Sequence, residues 1–217
     1  MDAEVYDVLF RSRKTLLSIL KDKGYDTSQY EKFSPWEIES MISNEKKNAL
    51  GMKLTKENND EKCIVIYRLN RLKQSLTKFI DTHLVDEESE DYIAEAKDGN
   101  IEVMVILLET VNNEVFHTAS LATYQKHKVR ISFFQAHSLV NNPKEHILVP
   151  KHEIVPKDEI PALKKVLNIQ GVSNLPFIRF HQDIQARLLG ALPGDVIKIT
   201  RPSPSAGVEI VYRVCVP

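Results

Sequence analysis

The sequence predicts a mixed α and β fold in two parts, an α/β domain over residues 1–142 and a smaller mixed domain over residues 143–217. Three observations support this prediction. In the first part, apolar runs typical of buried strands alternate with patterns of helical period. Near the C-terminus, two β-branched runs flank a turn-rich loop, which favours a hairpin. Between the parts, Asn141-Asn142-Pro143 combines residues that favour turns and block helices, so it marks the boundary.

The composition indicates a soluble globular protein. Of the 217 residues, 42% are hydrophobic and 27% are charged, and no apolar run approaches the ~20 residues that a membrane span requires. The acidic start at Met1-Asp2-Ala3-Glu4 predicts no signal peptide. Cys63 and Cys215 lack a metal-binding spacing and are expected to stay reduced. We therefore expect an intracellular protein with no membrane partner.

Charge is unevenly divided along the chain, whose formal net charge is −1. Residues 147–217 have a net charge of +3, and the preceding residues have a net charge of −4. Nonspecific affinity for nucleic acid grows with the number of phosphates that the protein neutralises. This imbalance is too small for strong binding, so any contact with DNA is expected to be weak and local.

The first predicted helix has apolar residues at three- and four-residue intervals from Val5 to Leu20 and ends at Gly24. Its other face is basic and has two interpretations, a solvated surface or a surface facing DNA or an acidic partner. The basic residues are Arg11, Arg13, Lys14, Lys21 and Lys23. A second helix is predicted at Ser34-Pro35-Trp36-Glu37, where Ser34 and Glu37 form a capping box around a first-turn proline.

The remaining elements of the first part follow from period and turn residues. Buried strands are predicted at 63–67 and 101–108, a helical pattern between them from Leu69 to Ile80, and then a helix at 115–124. Alternation at 129–133 predicts a half-buried strand. Residues 43–62 are expected to be a polar stretch, and residues 86–98 an exposed acidic link with some helix. Turns are expected at 58–60, 98–99 and 112–113.

The smaller domain is predicted to centre on its hairpin. Pro193-Gly194 has the order of a type II turn, and the strands beginning at Val196 and Val208 are separated by a loop over 202–207. A helix is expected from Pro156 to Gly171, with an acidic first turn at Asp158 and Glu159. Asp183 is expected to cap a short helix that ends at Gly190.

The C-terminal residues resemble one family. Its signature is similar to Leu188-Leu189-Gly190-Ala191-Leu192-Pro193-Gly194-Asp195-Val196-Ile197-Lys198-Ile199, followed by Arg201, Ser203, Ser205-Ala206-Gly207 and Tyr212-Arg213. The steps Leu148-Val149-Pro150-Lys151-His152 and Leu175-Pro176-Phe177-Ile178 also resemble it. The family comprises the fifth-largest subunit of eukaryotic nuclear RNA polymerases and the H-type subunit of archaeal RNA polymerase. The archaeal subunit corresponds to the C-terminal half of the eukaryotic one. One departure is Ile184, where the family usually has proline.

The resemblance implies a three-layer α/β jaw domain over 1–142 and an assembly domain, with its hairpin and helices, over 143–217. The chain is then expected to be a non-catalytic structural subunit of a multi-subunit DNA-directed RNA polymerase. It would assemble on the largest subunit and lie in the lower jaw, near downstream duplex DNA. No cofactor, metal or small-molecule substrate is expected. The compartment would be the nucleus in a cell, or host cytoplasm and virion for a large DNA virus.

The resemblance also supplies candidate contact residues. The candidates for the polymerase interface are Lys151, His152, Arg187, Gly190, Pro193, Gly194, Lys198, Arg201, Tyr212 and Arg213. For the glycines and Pro193 a turn role is expected in any case, and for the cations the other interpretation is a solvated surface. The candidates near DNA are Thr118, Ser120, Lys126 and Lys128, by comparison with a short jaw loop in eukaryotic relatives.

Two alternative functions stay open. The jaw domain of the family resembles the restriction-endonuclease fold, and Glu95-Ala96-Lys97 matches its (Asp/Glu)-x-Lys motif, with Asp86 or Asp91 upstream. A DNA-processing nuclease would need these groups presented on a sheet around Mg²⁺. The chain lacks the glycine-rich, HExxH and nucleophile-elbow motifs, and no two of its seven histidines have a helical i, i+4 spacing. The second alternative is a dissociable transcription factor that docks on polymerase.

Overall fold

The computed structural model describes residues 3–43, 48–56, 61–98, 101–111 and 114–217. The chain divides into two compact units, Met1–Asn142 (unit 1) and Pro143–Pro217 (unit 2). The described elements of unit 1 are α1 (Ala3–Asp22), α2 (Pro35–Ser43), β1 (Met52–Thr55), β2 (Lys62–Arg68), α3 (Leu76–Leu84), β3 (Ile101–Leu107), α4 (Glu114–His127) and β4 (Arg130–Gln135). The capping box at α2 is confirmed, because the Ser34 backbone N–H donates to the Glu37 carboxylate over 2.7 Å.

The sheet of unit 1 has the order β1-β2-β3-β4. β1 runs antiparallel to β2, whereas β2, β3 and β4 are parallel, with α3 and α4 as the crossover helices. One core cluster joins Val103 of β3 and Phe133 of β4 to Phe79 of α3 and Phe116 of α4. The two crossover helices therefore cover the same face of the sheet.

The opposite face of this sheet is also buried. Tyr67 of β2 points to that face, and burial raises its pKa to about 12, against the opposing effect of the nearby Arg13 guanidinium of α1. Lys23, just after α1, pairs with Glu102 of β3 over 2.5 Å on the same face. Because helices cover both faces, the central strands are continuous apolar runs, as parallel strands usually are.

Several predictions for unit 1 are wrong in part. The stretch expected to be only polar contains β1, whose Met52 and Leu54 are buried. β4 is buried on both faces and not half-buried. Its polar residues Arg130 and Ser132 are also buried, and Arg130 Nε donates to the Ser132 hydroxyl over 3.2 Å. In the acidic stretch the expected helical character is present as a 3-10 helix over Ala94–Asp98, but Ile93 and Ala96 are buried. α3 begins only at Leu76, after a 3-10 turn. The turns expected at 58–60 and 112–113, and Gly99 of the turn at 98–99, lie outside the described residues.

Unit 2 contains β5 (Lys151–Ile154), α5 (Ile160–Val166), β6 (Phe177–Arg179), α6 (Ile184–Leu189), β7 (Val196–Ser203) and β8 (Gly207–Val216). Its sheet has the order β5-β7-β8-β6, in which β6 and β8 are parallel and the other pairs antiparallel. The β7–β8 hairpin is thus the centre of the sheet. Its core cluster joins Val196 and Val214 of the hairpin to Val155 and Leu175, with Leu163 of α5 packed against them.

The turn before β7 is confirmed. The Asp195 backbone N–H donates to the Leu192 carbonyl over 3.0 Å, and Gly194 has φ +97°, which a type II turn requires at that position. β7 itself extends beyond the predicted break, since Pro202 pairs with Val208. Pro202 lies past the segment of β7 that pairs with β5, where a missing N–H removes no bond on that side.

The helix predicted after Pro156 is shorter than expected. α5 begins at Ile160, with Pro161 in its first turn, where a missing N–H is tolerated. A helix starting near Asp158 would place Pro161 where its ring clashes with the preceding turn. α5 ends at Val166, and Asn168 already has φ +51°, so the chain leaves the helix before Gly171.

The N-terminus of α6 gives a stability prediction. One Asp183 carboxylate oxygen accepts from the N–H groups of Gln185 and Ala186, over 2.8 and 3.1 Å. We expect Asp183→Ala to lower the free energy of unfolding of unit 2 by about 1 kcal/mol, whereas Asp183→Asn, which keeps a side-chain acceptor, loses less. Urea denaturation monitored by circular dichroism measures this. Equal losses in the two variants would contradict the capping role.

Candidate partner-binding surface

The strand register divides the predicted interface residues between two faces of the unit 2 sheet. Lys198 of β7 lies opposite Tyr212 of β8, on the face that also holds Val196. Arg213 of β8 lies opposite Ile197, and Arg201 opposite Glu209, so both arginines are on the other face. In β5, Lys151 belongs to the first face and His152 to the second by the same register. The candidate residues of the strands therefore do not share one face of the sheet.

The second face and the edge strand β6 together form a concave site of about 580 Å³, which we call the arginine groove. Its polar lining includes His152, Arg201 and Arg213, which were predicted, and Arg179 of β6, which was not. Its apolar lining includes Phe177 of β6, whose side chain is 58% exposed. Only alternation along the three-residue strand Phe177–Arg179, exposed at both ends and buried in the middle, could have indicated Arg179 from the sequence.

Each arginine of the groove has one hydrogen-bond partner within unit 2. Arg201 Nε donates to the Glu209 carboxylate over 2.9 Å, and this bond raises the pKa of Arg201. Arg213 Nη1 donates to the Phe177 carbonyl over 2.8 Å, and Arg179 Nη1 donates to the Pro217 carbonyl over 2.8 Å. These exposed contacts orient the guanidinium groups and contribute little to stability.

The β5 candidates make local contacts. Lys151 Nζ lies 2.6 Å from the Glu153 carboxylate and lowers its pKa through that hydrogen bond. His152 Nδ1 lies 2.7 Å from the Pro150 carbonyl. Since a carbonyl only accepts, Nδ1 bears the proton, and the other ring nitrogen is left for a different contact.

Arg187 differs from both of its expected roles. It is only 4% exposed, so it is neither a solvated cation nor a docking residue on the surface. The reason is that α6 is short and buries its four central residues, Gln185 to Leu188. Gly190 has the expected turn role, since it ends α6 with φ +78°.

Three of the four candidates near DNA are exposed on or next to α4, namely Thr118, Lys126 and Lys128. Ser120 is fully buried, and its hydroxyl donates to the Ile131 carbonyl of β4. The prediction that Ser120 approaches DNA is therefore wrong. Its hydroxyl instead joins α4 to the sheet.

The basic face of α1 is a solvated surface only in part, because Arg11, Lys14 and Lys21 are exposed whereas Arg13 and Lys23 are not. Arg13 is 3% exposed, donates to the Leu50 carbonyl and lies over the rings of Tyr30 and Phe33, 5.7 and 5.6 Å from their centroids. Burial lowers its pKa. Of the other cations, Lys23 pairs with Glu102, and Lys21 pairs with Glu31 over 2.9 Å. Arg13 and Lys23 therefore belong neither to a solvated surface nor to a surface that faces DNA or an acidic partner, and both interpretations are wrong for these two residues.

The nuclease motif is not presented as such chemistry requires. Glu95 and Lys97 lie on a 3-10 helix and not on a strand. Glu95 lies 3.6 Å from Lys53, whereas Lys97 pairs with Glu87 over 2.6 Å, so the two side chains face different partners. Within the described ranges, no three His, Cys, Asp or Glu side chains are grouped to hold a metal ion. Nor does any helix in those ranges have the length and apolar character of a membrane span.

The fold and the arginine groove together indicate the general class of this protein. It is a two-unit α/β protein whose exposed cations lie along a groove, in the manner of a protein that binds other macromolecules. Comparison with known proteins then gives the family. Residues 141–215 match the family described as RNA polymerase Rpb5, C-terminal domain.

Similar proteins extend this match over the whole chain. The chain is 31% identical over 209 residues to a protein of Dictyostelium discoideum, DNA-directed RNA polymerases I, II, and III subunit rpabc1, covering 96% of this chain and 97% of that protein. It is 45% identical over 75 residues to subunit Rpo5 of Metallosphaera sedula, covering 35% of this chain and 88% of that subunit. It is 47% identical over 73 residues to subunit Rpo5 of Archaeoglobus fulgidus, covering 34% of this chain and 93% of that subunit. The chain belongs to the Rpb5 family of DNA-directed RNA polymerase subunits.

Proposed function

We propose that this chain is a non-catalytic subunit of a multi-subunit DNA-directed RNA polymerase and that unit 2 attaches it to the largest subunit. The observation that supports this most is the match to the Dictyostelium subunit over nearly the full length of both chains. The archaeal subunits match over 75 and 73 residues of this chain, and these matches span most of the archaeal subunits' own length. The family match at residues 141–215 has a similar length and nearly coincides with unit 2, which favours unit 2 as the attachment site.

Unit 1 is proposed to form part of the lower jaw near downstream duplex DNA. The support is the exposed pair Lys126 and Lys128 at the end of α4, together with exposed Thr118. The net charge of −4 over the residues before 147 limits this contact to a weak, nonspecific one. No cofactor or small-molecule substrate takes part, and the nucleotidyl transfer belongs to other subunits. The proposed compartment is the nucleus.

The jaw proposal predicts a small effect of two lysines. Lys126→Ala with Lys128→Ala is expected to lower cross-linking of the incorporated chain to downstream DNA about threefold, because two phosphate contacts are lost. The measurement uses photoreactive DNA in transcribing polymerase at two salt concentrations. Lys157→Ala with Lys165→Ala, exposed lysines of unit 2, is the matched control and should leave the signal unchanged. An unchanged signal in the Lys126/Lys128 variant would contradict a DNA contact at the end of α4.

The assembly proposal is tested by purification of the tagged chain from its own cells. We expect equal amounts of the tagged chain and the largest polymerase subunit, measured by quantitative mass spectrometry and unchanged by a wash in about 0.5 M salt. A dissociable transcription factor would instead be substoichiometric and lost in the wash. Recovery without the largest subunit would contradict the proposal.

A further inference from the structure

We propose that the arginine groove of unit 2 binds an acidic segment of the largest polymerase subunit, one that also inserts an apolar side chain. This inference rests on the proposed function and adds the surface and the chemistry of the partner. The groove is formed by the edges and one face of the sheet, with Phe177 and Arg179 from β6, Arg201 from β7 and Arg213 from β8.

The groove combines cationic and apolar surface in one place. The groove is lined by Phe177, which is 58% exposed, and half-buried Val211, as well as by three arginines. Exposed aromatic side chains next to arginines are typical of the residues that dominate binding energy at protein interfaces. An apolar side chain of the partner can pack against the Phe177 ring and the Val211 side chain.

The charge of the groove selects an acidic partner. A guanidinium group has five N–H donors, and within unit 2 each of Arg179, Arg201 and Arg213 uses one of them in the contacts described above. Asp183 is the acidic residue of the lining, and its Oδ1 atom accepts two backbone N–H groups of α6. The remaining donors match carboxylates, which arginine binds through two parallel hydrogen bonds.

A protein segment fits the groove better than nucleic acid does. Residues 147–217 have a net charge of only +3, which gives weak affinity for a phosphate backbone. The lining also includes apolar side chains, among them Ile199 and Val211, which a phosphate backbone would leave without a partner. The family match at residues 141–215 nearly coincides with unit 2, and this supports a polymerase-binding surface within the unit.

The test compares two double charge reversals in the full-length chain. Arg179→Glu with Arg201→Glu changes the groove, whereas Lys157→Glu with Lys165→Glu makes the same change in net charge on exposed residues outside it. We expect the groove variant to reduce co-purification with the largest subunit at least about tenfold. The control variant should co-purify as wild type does. Arg179→Gln with Arg201→Gln, which brings no new charge beside Glu209, should give an intermediate loss while circular dichroism stays native.

The outcomes separate this inference from the proposed function. If wild type itself fails to co-purify with the largest subunit, the proposed function is wrong, and the groove proposal fails with it. If wild type co-purifies and the groove variants do so equally well, only the groove proposal is overturned. If the groove variants keep the polymerase but lose binding to a labelled single-stranded oligothymidylate, the groove binds nucleic acid and the proposal is again overturned.

A cross-link identifies the occupant directly. p-Benzoylphenylalanine in place of Phe177 puts a photoreactive group at the rim of the groove in purified polymerase. We expect the cross-linked peptide, sequenced by mass spectrometry, to come from the largest polymerase subunit and to contain at least two Asp or Glu residues beside an apolar one. A cross-linked peptide without carboxylates, or a cross-link to nucleic acid, would contradict an acidic docking segment.

Discussion

Replacement of Glu102 by leucine is expected to destabilise unit 1 by about 3–5 kcal/mol, because it removes the carboxylate of a buried ion cluster. Glu102 lies 2.5 Å from Lys23 and 3.9 Å from Arg130, and the exposed fractions of these three side chains are 11%, 14% and 5%. Without Glu102 both cations stay buried and lack this counter-charge. Urea denaturation followed by circular dichroism gives the free energy, and hydrogen exchange of β3 peptides assigns the loss to unit 1.

The matched control for Glu102 is Glu31→Leu. Glu31 also pairs with a lysine, Lys21, over 2.9 Å, but those side chains are 39% and 66% exposed. Solvent screening makes such a pair worth at most about 1 kcal/mol. If the two variants lose the same free energy, or if Glu102→Leu loses less than about 1 kcal/mol, the buried cluster does not stabilise the fold as proposed.

Division of the chain at residue 142 is expected to separate polymerase binding from jaw function almost completely. A chain of residues 143–217 should still co-purify with the largest subunit, because it contains the arginine groove and a core of its own around Val196 and Val214. Co-purification of the largest subunit with a chain of residues 1–142 should fall to the background of the assay, a decrease of about a hundredfold or more. Quantitative mass spectrometry of tagged fragments measures both.

Folding of each fragment is the control for this division. Both fragments must show native circular dichroism and a cooperative thermal transition before their binding is compared. Retention of the largest subunit by residues 1–142, with loss by residues 143–217, would reverse the assignment of the two units. Retention by both fragments would show that the attachment surface is shared.

Local signals predicted most of the elements. β2 and β3 are continuous apolar runs, α6 has a capping aspartate and a terminal glycine, and the turn before β7 has proline and glycine in the required order. Each of these signals acts within a few residues. β1 was missed because four residues with two apolar positions, Met52 and Leu54, give too short a pattern.

Buried polar residues could not be predicted, because their partners are distant in the sequence. Arg13 donates to a carbonyl 37 residues away, and Lys23 pairs with a carboxylate 79 residues away. Such residues look like solvent-facing positions in a helical or alternating pattern. Ser120 was misassigned for a related reason, since its hydroxyl meets the Ile131 carbonyl only once α4 packs on β4.

The candidate surface was predicted as residues but not as geometry. The family motif names Lys198 and Arg201 together, yet an odd spacing on a strand puts them on opposite faces. Arg179 lines the groove with Arg201 and Arg213 only because β6 forms the sheet edge beside β8, an arrangement that the sequence does not reveal. The groove is therefore a product of strand order, and the motif covers only part of it.

The most direct measurement is a cryo-electron microscopy map of transcribing polymerase purified through this chain. We expect one copy of the chain in the map, with the arginine groove of unit 2 filled by a segment of the largest subunit and the end of α4 within about 10 Å of downstream duplex DNA, the distance over which charges act at physiological salt. A map that lacks the chain, or that shows unit 2 detached from the largest subunit, would contradict the proposal that this protein is a structural subunit of the polymerase.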